Sequence, residues 1–93
     1  AALSSTLFIS ANAYAQAPEK PAKIASCVGC HGEGGNSMVP NFPKLAGQHA
    51  SYTIKQLKDF RDGFRKDATM AAFAKGLTDD EIKAIAEYYA AQK

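Results

Sequence analysis

The five residues Cys27-Val28-Gly29-Cys30-His31 constrain this chain more than any other stretch, because they hold both of its cysteines. Two thiols so close in sequence close too small a loop to restrain much of an unfolded chain. The segment they serve, Gln16 to Lys93, has a length at which folding hides only about 60% of the unfolded surface. A domain of that size needs a staple or an added core. Whatever binds at Cys27 and Cys30 must therefore supply apolar bulk, which points to a large cofactor.

Three chemistries use such a motif. A redox dithiol belongs at the start of a helix that follows a strand, and here no strand-like alternation precedes Cys27 while a glycine-rich loop follows it. A zinc site needs four ligands, or three and a water. Cys27, Cys30, His31 and His49 could number four, but the adjacent Cys30 and His31 rarely both reach one ion. The remaining reading is covalent haem attachment. Each thiol adds to a vinyl group to form a thioether, and the histidine behind them turns an imidazole nitrogen to the iron. The expected cofactor is a single haem c, joined through Cys27 and Cys30.

Ala1 to Ala15 (AALSSTLFISANAYA) differs from the rest: it carries no charge and ends in Ala13-Tyr14-Ala15, the small-x-small pattern of a signal-peptidase site. We read residues 1–15 as the remnant of a signal peptide cleaved near Ala15, and residues 16–93 as the domain. Nothing after the leader is long and apolar enough to span a bilayer, and an exported, periplasmic protein is expected. Lys44 to Lys66 holds six basic residues against two acidic ones, and Asp67 to Lys93 three against five. This is a dipolar surface rather than the basic run of a nucleic-acid binder.

The hydrophobic pattern predicts an all-α, loop-rich fold of three to four short helices around the haem. The first helix runs from Pro21 through Ile24 and Ala25 toward Cys30. Residues 32–47, with four glycines, Pro40 and Pro43, read as loop. A second helix over Gln48–Asp62 carries a stripe of Ile54, Leu57, Phe60 and Phe64 and stops at Gly63. Residues 64–69 read as loop, and Met70–Lys75 as one or two helical turns. Thr78 and Glu81 form a capping box for a last helix whose Ile82, Ile85, Ala86 and Tyr89 make one apolar stripe.

The sixth iron position decides function, and Met38, Met70 and His49 are its candidates. Met70 is favoured, because the second helix separates it from His31 and lets the chain return on the opposite face. Met38 follows His31 too closely, and His49 falls at a polar helix start.

CVGCHG (27–32), PKLAGQHASYTIKQLKDFRDG (43–63), the Met70 segment and LTDDEIKAIAEYYA (77–90) resemble the small class I c-type cytochromes of bacteria. The likeness is to single-haem periplasmic members whose domain also occurs doubled in dihaem cytochromes. It implies that His31 and Met70 are the iron ligands and that the Pro43 carbonyl accepts a hydrogen bond from the His31 ring. It further implies that Leu45, Tyr52, Leu57 and Phe60 line the haem pocket. The first and last helices cross in this family, which brings Ile24 and Ala25 to Ile85 and Tyr89. One departure stands out: relatives commonly carry Asn-Pro just before the methionine, where this chain reads Asp67-Ala68-Thr69. Without that stiffening, the loop holding Met70 is expected to open more readily.

The expected function is one-electron transfer by a non-enzyme, with redox proteins such as respiratory reductases or oxidases as transient partners. A monomer is expected, its short last helix and unstiffened ligand loop being compatible with a domain-swapped dimer. The alternative is a haem sensor or small-ligand binder with a displaceable Met70. Peroxidase-like catalysis would need an acid or base above the iron, a place neither His49 nor Glu33 fills. Lys44, Lys55, Lys58, Arg61, Arg65 and Lys66 form the candidate docking stretch.

Overall fold

The computed structural model describes residues 19–93; the expected leader and its cleavage site lie outside them. Within this range every regular element is helical and there is no strand. A 3₁₀ turn, Ala22–Ile24, leads into α1 (Ala25–His31). Pro21 stands just ahead of it with φ −64°, so the entry is preset by the pyrrolidine ring. Gly32 ends α1 at φ +81° and donates its N–H to the Val28 carbonyl at 2.9 Å.

The loop expected over residues 32–47 is more ordered than its composition implied, containing a 3₁₀ turn at Glu33–Gly35. The Gly35 carbonyl accepts from the N–H groups of both Leu45 (2.8 Å) and Ala46 (3.1 Å), which pins the far end of the loop to its beginning. Next, α2 spans Ala50–Asp62, starting two residues later than the apolar pattern indicated. Gly63 stops it in the left-handed region at φ +87°, where a glycine meets no Cβ penalty. The Asp59 carbonyl then accepts from the N–H groups of Gly63, Phe64 and Arg65.

That turn corrects one expectation. Phe64 leaves the α2 stripe and is 83% exposed, because the chain reverses at Gly63 before the next helical step is reached. Thr53 is buried on α2 instead.

The third helix, α3 (Ala68–Ala74), begins two residues before the expected Met70. The reason is Asp67, whose carboxylate caps it. The fourth, α4 (Asp79–Ala90), has the capping box as read: Thr78 accepts from the Glu81 N–H at 3.1 Å, and Glu81 from the Thr78 N–H at 2.9 Å.

All four residues of the α4 stripe are buried, and Ile85 and Tyr89 join Ile24 in the central cluster. The crossing of the first and last helical segments of the described residues thus runs through Ile24; Ala25, expected beside it, faces solvent. One helical step turns Ala25 about 100° away from the face Ile24 occupies. Lys23 fastens the same crossing from outside, reaching Glu81 at 3.0 Å and the Gly76 carbonyl at 3.4 Å. On the other side of α4, Arg61 of α2 spans to Asp79 (2.8 Å) and the Leu77 carbonyl (3.2 Å) while also pairing with Asp62. These contacts frame an opening between α1, the 32–47 loop, α2 and α3.

A candidate haem-binding site

That opening is a cavity of about 480 Å³, within the range of small-molecule sites. Cys27, Cys30 and His31 enter it from α1, Pro43 and Leu45 from the loop, Tyr52, Leu57 and Phe60 from α2, and Met70 from α3. All nine positions singled out in the sequence therefore line one cavity. Of the other two candidates for the iron, Met38 is 95% exposed and His49 is also exposed. Neither is among the residues lining the cavity.

His31 is buried and held by a hydrogen bond. Its ring is 7% exposed, and Nδ1 lies 2.8 Å from the Pro43 carbonyl oxygen. A carbonyl can only accept, so Nδ1 carries the proton, and in the neutral ring Nε2 keeps its lone pair. Such a contact fixes ring orientation and raises ligand basicity. Burial pushes the Cys27 thiol above its ordinary pKa, partly offset by the Tyr89 and Ser26 hydroxyls.

Tyr89, read from the sequence only as core, is also a cavity wall. It is wholly buried, and its Oη finds no hydrogen-bond partner among the described residues. Desolvation first, and the Cys27 thiol second, raise its pKa well above that of a free phenol. The thiol influences Tyr89 without completing a hydrogen bond. An orphaned buried hydroxyl is uncommon in a finished core. Tyr89 lines a space bordered by two thiols, an imidazole and apolar side chains, a donor set that fits a thioether-linked haem. The ring of Tyr89 also packs on the Cα of Gly35: a Cβ there would stand 2.7 Å from Tyr89 Cδ1 and 2.8 Å from the Ala46 nitrogen. The sequence marks Gly35 as a turn residue but holds no local trace of this approach.

Comparison with known proteins agrees with that fit. Residues 15–88 match the family described as cytochrome c oxidase, cbb3-type, subunit III. The chain belongs to the class I c-type cytochromes. Cytochrome c4 of Pseudomonas aeruginosa is 46% identical over 83 residues, covering 89% of this chain and 41% of that protein. Cytochrome c-554(548) of Halomonas halodenitrificans is 45% identical over 74 residues, 76% of this chain and 89% of that one. The solved cytochrome c4 of Acidithiobacillus ferrooxidans, reported for complex-induced tuning of electron transfer, superposes with a TM-score of 0.67 at 38% identity. That match covers 70% of this chain and 38% of the other. The chain thus spans less than half the length of the cytochromes c4 that it matches. As a c-type cytochrome it carries covalently attached haem c. No helix among the described residues is long and apolar enough to cross a membrane.

Of the six cations in the candidate docking stretch, two are committed elsewhere: Lys55 pairs with Asp59 at 2.5 Å, and Arg61 with Asp62 and Asp79. Arg65 lies over the Phe60 ring, 4.6 Å from its centroid, and donates to Gln56. Lys44 and Arg65 both reach the cavity rim.

Proposed function

We propose that this cytochrome is a one-electron carrier in which His31 and Met70 would hold the haem iron and Cys27 and Cys30 would carry the thioether links. The observation that carries this reading is the single cavity into which two thiols, a carbonyl-anchored imidazole and a methionine thioether all open. When bound, haem supplies reversible one-electron exchange at its iron. Cys27 and Cys30 hold it in place, and His31 presents Nε2 with its orientation set through Pro43. Met70 contributes a soft sulfur that favours the ferrous state and raises the potential relative to two histidines. Leu45, Leu57 and Phe60 keep water away, which disfavours the extra charge of the ferric state. Were His31 and Met70 both to hold the iron, no position would remain for a substrate, and the protein would transfer electrons rather than transform one.

Redox partners dock briefly, as electron-transfer encounters do, and Lys44 and Arg65 at the cavity rim steer them electrostatically. The location is periplasmic, after removal of residues 1–15. The test is optical. The purified ferric protein should show a sulfur-to-iron charge-transfer band that Met70→Ala abolishes, and the ferrous protein should not bind carbon monoxide at neutral pH. Absence of the band together with rapid carbon monoxide binding would overturn Met70 as ligand.

A further inference from the structure

Met70 sits at the third position of α3, a seven-residue helix beginning at Ala68. Its backbone N–H is among the first four of the helix, which have no partner within it. The Asp67 carboxylate supplies one: Oδ1 accepts from the Met70 N–H at 3.0 Å. The Asp67 carbonyl accepts from Ala71 at 2.8 Å. The backbone of Asp67 is extended, with φ −159° and ψ 112°, as an N-cap requires.

A helix of this length does not hold itself together in water, and its packing is thin. Ala74 is its one fully buried residue, Ala71 and Met70 are half-buried, and Phe73 is 49% exposed. By contrast α4 has a cap and four buried side chains, so losing its cap would leave its position set by packing. In α3, which leans on α2 and buries only Ala74 fully, the Asp67 cap is the one side-chain hydrogen bond to the helix backbone among the described residues.

We propose that Asp67 is the positioning residue for the Met70 ligand, its side-chain cap holding the backbone amide of the ligand residue. This rests on Met70 being the ligand. It also reverses the expectation that the segment is unstiffened: the clasp is a carboxylate oxygen on the amide of the ligand residue itself, and it needs hydrogen-bond acceptance rather than charge.

The experiment measures cyanide binding to the ferric holoprotein, the charge-transfer band and exchange of the Met70 amide hydrogen. The series is wild type, Asp67→Ala, Asp67→Asn, Thr78→Ala and Met70→Ala. Asp67→Ala should raise cyanide affinity about fivefold, equivalent to about 1 kcal/mol for a lost cap, and should speed exchange at Met70. Asp67→Asn, an equally good cap, should stay within about twofold of wild type. Thr78→Ala removes the α4 cap and lowers global stability, yet should leave cyanide affinity unchanged. The inference is overturned if Asp67→Ala leaves affinity and exchange as in wild type, or if Asn and Ala raise affinity equally. It is also overturned if Thr78→Ala matches Asp67→Ala, since the effect would then be global. A Met70→Ala variant that keeps the charge-transfer band would instead sink the ligand assignment itself.

Discussion

The two sides of the cavity are held by different means. On the His31 side each group is fixed by another. The imidazole donates to Pro43, the loop carrying Pro43 is pinned by the Gly35 carbonyl, and Gly35 lies against the Tyr89 ring. The Gly47 N–H returns to the Tyr89 carbonyl at 2.9 Å. On the Met70 side a short helix with one fully buried residue, Ala74, rests on α2 and is capped by one carboxylate. Packing with many mutual partners resists displacement as a unit, whereas a clasp can open alone. One wall is therefore a fixed reference and the other an adjustable one.

The most severe way to break this contrast is at Gly35. Gly35→Ala would place a methyl into the Tyr89 ring and the Ala46 nitrogen at a residue with φ +78°. Overpacking and left-handed strain together should cost about 3 kcal/mol or more, read as a lower guanidinium midpoint of the holoprotein. A shift below about 1 kcal/mol would mean that the fixed wall yields easily. Next comes Ile85→Ala against Phe73→Ala. Deleting the buried Ile85 side chain should cost about 2–5 kcal/mol. The half-exposed Phe73 on α3 should cost less than about 1.5 kcal/mol, most of its surface being already in water. Equal losses would erase the distinction between the walls.

A smaller effect is expected at Thr78→Ala, about 1 kcal/mol from the lost cap, measured by thermal melting. The mildest concerns acid. Hydrogen bonds from Arg61 hold the Asp62 and Asp79 carboxyls below their ordinary range, and the Thr78 N–H, then Lys23, does so for Glu81. Groups with lowered pKa stabilise the fold above the unfolded carboxylate values and lose that contribution as pH falls through the folded ones. The urea midpoint should therefore drop below about pH 4, and Arg61→Gln should flatten that drop. A profile unchanged in Arg61→Gln would remove Arg61 as the cause.

How much of this could be read in advance depended on whether the cause was local. The capping box at Thr78 and Glu81, the α4 stripe and the stop at Gly63 each involve neighbours within a turn or two, and all stand as the sequence indicated. Phe64 failed because helical periodicity was carried through a glycine that reverses the chain. Ala25 failed because the crossing implied by the resemblance was extended to a residue one helical step off the face that Ile24 occupies. The early start of α3 was legible in principle, since Asp followed by Ala-Thr-Met is a capping sequence. Gly35 and Tyr89 could not be paired from the sequence, because residues far apart in the chain carry no periodic signal of their contact.

The crossing of Ile24 with Ile85 and Tyr89 has a consequence in time. Synthesis is N-terminal first, so Ile24 has nothing to pack against until residues 82–89 have been made. Cys27, Cys30 and His31 follow Ile24 directly and emerge before the helix that completes their cavity. The wall that Ile85 and Tyr89 give the cavity is thus completed late, by a contact between distant parts of the sequence.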